Sequence, residues 1–331
     1  MEGSPRSPLL SGRHLALALV SLTGIALAVW SFQDARARDQ ERIQAEFERR
    51  TGIRHALVRE VLGRYEDALF GLSALFMVDE NPSRSQFIRA ARRLSEHTPG
   101  ALALEWVPLI PAAQRAAFEA ELQRSYRKPD IQVTERDPAG QLRRAPERAS
   151  YLPIAYIDPL KGSEGALGFD LQTGPTSEFL AKARASERIT LSRQVPLVQV
   201  PDGRFGVIMI SPVRRIPRQG EPTETATFQG FVQAVFLTRE LAERLCTAEP
   251  DKLLDLLFID ASEQDPARRL LYYRAAVPTK AVNPAPTEDE FKRGMTAELP
   301  LPIGGREWRI LYRPRAGWVE EQSTPLPWVR T

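Results

Sequence analysis

An α+β chain is predicted, with a long N-terminal helix followed by two tandem antiparallel-sheet units and preceded by one transmembrane helix. Three observations predict it. Residues 15–32 form an apolar run without a charge. Residues 34–78 contain no proline and repeat apolar residues in steps of three and four, the period of one helix face. After residue 80, helical stretches alternate with short apolar runs bounded by Pro, Gly and Asp, the mark of strands that return as hairpins.

In chain order, the run LALALVSLTGIALAVWSF is just long enough to span a bilayer core at a rise of about 1.5 Å per residue. Arg6, Arg13 and His14 precede it, and Trp30 and Phe32 stand at its outer end as an interfacial belt does. It reads as an uncleaved signal anchor with residues 1–14 cytoplasmic. The rival is a cleaved signal peptide, with Ala35-Arg36-Ala37 as a loose cleavage site. In either case the remainder lies outside the cytoplasm. Residues 33–80 form the stalk helix. Its stripe is Val58, Leu62, Tyr65, Leu69, Leu72 and Phe76, with Ile43 and Phe47 farther back. The stripe is expected to serve both uses, its membrane-near half pairing with a second chain in a homodimer and its far half packing on the sensor core; the alternative is a single amphipathic support helix without dimerisation.

Residues 81–215 form a membrane-distal unit. Ser85 caps a helix to about His97. Residues 101–111 are a buried strand, 112–126 a helix and 131–135 a strand, and residues 137–150 are a charged loop. Residues 151–157 and 166–171 are strands flanking the Asp158-Pro159 turn. A helix from about residue 175 to 187 has Pro175 in its first turn, where a missing N–H costs nothing. Two strands, 195–199 and 205–212, flank a turn at residues 201–203. The proline- and charge-rich stretch 216–225 reads as a boundary. Residues 216–318 then form a membrane-proximal unit with strands at 228–237, 254–260, 270–275, 296–301 and 307–313, and residues 319–331 are a tail.

Composition excludes several functions. The net charge of +3 is small beside 45 basic and 42 acidic residues, and no basic stripe with interleaved aromatics marks a nucleic-acid binder. One cysteine, Cys246, forbids an internal disulfide and reads as a small buried hydrophobe. The three histidines, His14, His55 and His97, sit in three different settings. No zinc spacing, Gly-x-Ser-x-Gly elbow, Walker loop, kinase or cyclase signature is present. Acidic runs such as Glu288-Asp289-Glu290 and Glu320-Glu321 read as solvated faces. No enzyme is expected and no cofactor or metal is implied; an extracytoplasmic membrane-anchored hydrolase is the alternative.

The stretch YLPIAYIDPLKGSEGALGFDLQT, residues 151–173, resembles the central motif of the CHASE family of extracytoplasmic ligand-sensing domains, which includes the plant cytokinin receptors. Tyr151, Pro153, Tyr156, Pro159, Gly168, Asp170, Ala183 and Arg184 fall on the family pattern. Glu105-Trp106-Val107-Pro108 and Arg115-Ala116-Ala117-Phe118-Glu119 add weaker marks in the right order. The resemblance implies PAS-like units, a small-molecule or peptide ligand, no chemistry, a membrane partner and a homodimer. It also implies a second span and an output kinase or cyclase module, which these 331 residues do not contain.

PAS-like pockets lie between sheet and covering helices. The ligand-binding candidates are Trp106, Tyr151, Tyr156, Phe169, Asp170, Ser177 and Leu197. Each has a plainer use: Trp106 and Phe169 as core, Tyr156 packed on Pro159, and Asp170 bonded to its own turn. Plant receptors hold the cytokinin ring with an acidic side chain early in the helix after this motif. That position falls at Ser177, whose hydroxyl cannot replace a carboxylate, so cytokinin is a poor candidate ligand.

Overall fold

The computed structural model describes residues 12–79, 82–96, 100–197, 200, 204–217, 227–247, 253–277 and 285–323, without the side chains of 12–15, 18, 246 and 247. The turn at 201–203, His97, the side chain of Cys246 and the end of the chain at Trp328 and Arg330 therefore lie outside the described residues. Two compact units are present: Met1–Gly52 with Ala316–Thr331, and Ile53–Arg315.

One helix, α1 (Gly12–Val78), runs through the predicted span and stalk. Every member of the predicted stripe from Val58 to Phe76 is buried, as the three-and-four spacing requires. Leu17, Leu19, Val20, Leu22, Ile25, Leu27, Val29, Trp30 and Phe32 are all exposed. Among the described residues no helix is long and apolar enough to cross a membrane, and positions 15 and 18 of the expected span have side chains outside that set. In the smaller unit, Phe47 is buried with its ring centroid 6.4 Å from that of Trp318.

Helix α2 (Arg84–Ser95) follows. Its cap is Ser83 rather than the expected Ser85. The Ser83 hydroxyl accepts from the Gln86 N–H at 3.3 Å while the Gln86 side chain accepts from the Ser83 N–H at 2.7 Å. This reciprocal pairing needs a partner three residues on, which is Gln86 for Ser83. Next come β1 (Ala103–Pro108), β2 (Ile110–Pro111), α3 (Arg115–Tyr126), β3 (Thr134–Arg136) and β4 (Leu142–Arg144). The last two form a hairpin: β3 overlaps the strand expected at 131–135, and β4 lies within the stretch expected to be loop.

The central motif holds less regular strand than expected. β5 (Ser150–Tyr151) and β6 (Tyr156–Asp158) pair with different partners, β2 and β1. Pro153 between them has no N–H to give a ladder. The strand expected at 166–171 is reduced to isolated bridges, Thr134 to Phe169 and Pro153 to Asp170. Gly168 sets this geometry: at φ +76° a Cβ there would lie 2.4 Å from the Gln132 carbonyl oxygen.

Helix α4 (Ser177–Ser186) leads to β7 (Thr190–Leu191), β8 (Val195–Pro196), β9 (Phe205–Arg214) and β10 (Phe228–Leu237). The main sheet runs β6-β1-β10-β9-β7, with β8 also on β9. The boundary expected at 216 is thereby corrected. β10 pairs with β9 from Phe228↔Arg214 to Leu237↔Gly206, and its other edge pairs with β1. The polar stretch at 216–225 therefore joins two paired strands of one sheet and does not divide domains.

Helix α5 (Thr238–Thr247) precedes a second sheet. Its strands are β11 (Leu254–Asp260), β12 (Leu270–Arg274), β13 (Ala297–Ile303) and β14 (Arg306–Pro314), in the order β12-β11-β14-β13. Leu257, Ile259, Leu311 and Phe291 form a core on one face. On α1, His55 Nε2 lies 2.9 Å from the Pro300 carbonyl oxygen, and its ring meets Tyr312 edge-on at 6.4 Å.

Candidate functional site

Successive residues of a strand point to opposite faces, and the main sheet uses both. On one face Trp106 of β1 stacks on Phe76 of α1, ring centroids 3.7 Å apart and planes 15° from parallel. Phe236 of β10 meets Tyr65 of α1 edge-on at 5.2 Å. On the other face Glu105, Gln233, Val235 and Ile208 line a cavity of about 390 Å³. Phe169 and Leu171 from the bridged segment and Leu197 and Val200 from the stretch after β8 close it. Its wall is mainly apolar, with Thr176 and Arg136 also lining it.

Two polar side chains lie on the cavity floor. Glu105 and Gln233 face each other in register across β1 and β10. Glu105 is 0% exposed and Gln233 1%. The Gln233 amide Nε2 donates to Glu105 Oε2. Gln233 Oε1 is buried and accepts no hydrogen bond among the described residues.

The structure separates the seven predicted residues. Phe169 and Leu197 line this cavity. Trp106 lies on the opposite face, against α1. Tyr156 is half-buried, its ring centroid 5.7 Å from that of Phe87. Burial, aided by the negative charge of Glu121, raises its phenol pKa.

Tyr151 and Asp170 belong to a buried polar knot. The Tyr151 hydroxyl donates to the Pro146 carbonyl at 3.0 Å and accepts from the Arg148 N–H at 2.9 Å and Arg115 Nη1 at 3.1 Å. Asp170 Oδ1 accepts from the Leu152 and Gln172 N–H groups at 2.9 and 3.1 Å, and Oδ2 accepts from Arg148 Nη1 at 3.0 Å. Arg148 also binds Glu135. Burial works to raise the Glu135 pKa, but hydrogen bonds from Arg148 and Arg143 outweigh it and hold the carboxyl below its ordinary value. Asp170 is thus occupied in fixing the motif's backbone.

Ser177 donates to the Gly174 carbonyl at 2.8 Å. It lines a different space, an open groove of about 780 Å³ beside α4 that includes Arg184, Arg214 and Phe231. The groove is larger, but the smaller cavity is the one enclosed between the sheet and its covering segments. Such enclosure buries more of a small ligand and strengthens its polar contacts.

Sequence reasoning passed over Glu105 and Gln233 as site residues. A signal was present: Glu105 is the one polar residue of ALEWVP, and Gln233 stands between Val232 and Ala234 in FQGFVQAVFL, which also holds Gln229. Buried side chains of this kind require partners.

The family model of the CHASE domain matches residues 80–272. The chain belongs to the CHASE domain family. It is therefore an extracellular sensory, ligand-binding domain. No curated protein sequence matches it. Among solved structures, it is similar to the ligand-binding domain of the Pseudomonas aeruginosa amino acid chemoreceptor PctC, in complex with GABA. The identity is 9% and the TM-score 0.44, over 81% of this chain and 98% of that one. The P. aeruginosa chemoreceptor PctB domain with L-arginine gives 13% and 0.44, over 83% and 96%. An extracellular ligand binding receptor from Desulfohalobium retbaense gives 10% and 0.41, over 78% of this CHASE chain and 39% of that receptor. Among the described residues no group of His, Cys, Asp and Glu could hold a metal ion.

Proposed function

We propose that this CHASE domain binds a small molecule in the 390 Å³ cavity and passes the event to α1, without chemistry of its own. The observation that carries the reading is the two-sided use of β1. Glu105 lines the cavity, while its neighbour Trp106 stacks on the helix. A ligand that draws β1 and β10 together or apart also moves the surface against which α1 packs. Binding then selects between existing positions of the helix. The two PAS-like units, the homodimer and the single membrane anchor belong to the same proposal. The nine exposed large apolar residues from Leu17 to Phe32 support the anchor, since so long a bare apolar surface is unfavourable in water. The output kinase or cyclase would respond to α1 or to a segment beyond the described residues.

The test is a thermal-shift screen of small metabolites, run beside a hydrolase-substrate panel. A sensor gives stabilisation without turnover, and Val200→Trp, which fills the cavity from an irregular segment, abolishes the stabilisation. Turnover of any panel substrate, or stabilisation that Val200→Trp leaves unchanged, would refute the reading.

A further inference from the structure

Gln233 carries the information. A buried amide oxygen without a partner costs about 1–3 kcal/mol. Its other end is already committed to Glu105, so it cannot turn to satisfy both atoms at once. The floor therefore presents an unused acceptor beside a buried carboxyl group. Around it Phe169, Leu197, Val200 and Ile208 offer apolar contact, and the lining also holds Thr176 and the exposed Arg136, whose guanidinium donates to the Gly140 carbonyl. At about 30 Å³ per water-sized group, a cavity of 390 Å³ has room for on the order of a dozen such groups.

An acceptor next to a carboxylate calls for a donor, and a positive one is favoured over a neutral one. A negative group would meet Glu105 in a low-dielectric setting, where repulsion is strong. We propose that the ligand is a small amine, whose N–H donates to Gln233 Oε1 beside Glu105 and whose apolar body fills the space against Phe169 and Leu197. This rests on the cavity being the sensory site.

Three probes of matched shape test it: 2-phenylethylamine, 2-phenylethanol and phenylacetate, each titrated into the 331-residue chain in detergent micelles. The amine is expected to raise the melting temperature and to bind about tenfold or more tightly than the alcohol, with no shift from phenylacetate. Gln233→Met and Glu105→Gln should each weaken amine binding by about tenfold. The preference order in the unsubstituted chain needs neither variant to fold. Equal or tighter binding of phenylacetate would mean that the amide stands the other way round, Nε2 toward the cavity, and overturns the assignment. Absence of a shift from all three probes at millimolar concentration overturns it too. Val200→Trp separates the two readings. If it removes all probe binding but no amine preference exists, the amine fails and the cavity stands. If probe binding survives Val200→Trp, the cavity itself fails.

Discussion

Asp170 offers the sharpest contrast between a binding role and a structural one. Its carboxylate is 0% exposed and accepts from two backbone N–H groups and from Arg148. Asp170→Ala would orphan the buried Leu152 N–H and one arm of Arg148. Each buried donor left without a partner costs about 1–3 kcal/mol, and breaking a buried ion pair from one side costs about 3–5 kcal/mol. These figures describe overlapping losses and do not add. Arg148 keeps Glu135, and its side chain is 24% exposed, so water relieves part of the loss. The expected cost of Asp170→Ala is therefore about 3 kcal/mol, at the lower end of the ion-pair range. Asp170→Asn keeps an oxygen for Leu152 and Gln172 but turns an NH2 toward Arg148, which loses both the charge and the accepted hydrogen bond, for about 1–3 kcal/mol. Urea unfolding followed by tryptophan fluorescence reads both. Folded Asp170→Asn should bind a cavity ligand as the unsubstituted chain does. A cost of Asp170→Ala below about 0.5 kcal/mol, within the usual range of a surface change, would refute the structural role. So would a tenfold loss of affinity in Asp170→Asn at native stability.

Trp106→Ala removes the stack on Phe76 and should cost about 3–5 kcal/mol in urea unfolding, as large aromatic deletions in cores do. Gly230 has φ +149°, and a Cβ there would lie 2.2 Å from the Val107 carbonyl oxygen, so Gly230→Ala should destabilise the β1–β10 pair, by about 1–3 kcal/mol in the same assay. Burial, with the charge of Arg59 adding to it, depresses the His55 pKa below its ordinary value. The unfolded chain then binds the proton more readily, so the contribution is whole above about pH 6.5 and is lost as pH falls through the depressed folded value. Stability measured at pH 8 and pH 5 should fall less in His55→Gln than in the unsubstituted chain; an equal fall would refute this.

The α1 stripe was legible because helix burial leaves a period, and Val58 to Phe76 keep it without interruption. The four strands of the second sheet were legible as apolar runs between turn residues. The partner of β10 was not. Strand pairing depends on contacts far apart in sequence, and the proline-rich stretch at 216–225 has the same composition whether it links domains or joins a hairpin. The candidate site was half legible. Phe169 and Leu197 were placed at the cavity wall, but Asp170 and Tyr151 were drawn to the pocket by their chemistry. Their partners Arg148 and Arg115 lie elsewhere in the chain, and only the fold shows that these side chains are already bonded.

The position of the polar pair bears on how sensing reaches the helix. β1 and β10 are joined by backbone ladder bonds in register, Glu105 opposite Gln233 and Trp106 opposite Val232. A ligand bound at Glu105 and Gln233, as proposed, would engage both strands on one face. Trp106 and Phe236 press on α1 from the other. Close-packed contacts of this kind favour discrete arrangements over gradual yielding. Substituting Trp106 should therefore impair the coupling of ligand to helix more than it impairs binding, because its ring never meets the cavity. Substituting Gln233 should do the reverse. Measuring ligand affinity and the hydrogen-exchange protection of residues 62–76 in Trp106→Phe and Gln233→Met separates the two. Equal loss of affinity in both variants, with protection changed to the same degree, would show that the two faces of the sheet do not divide the work.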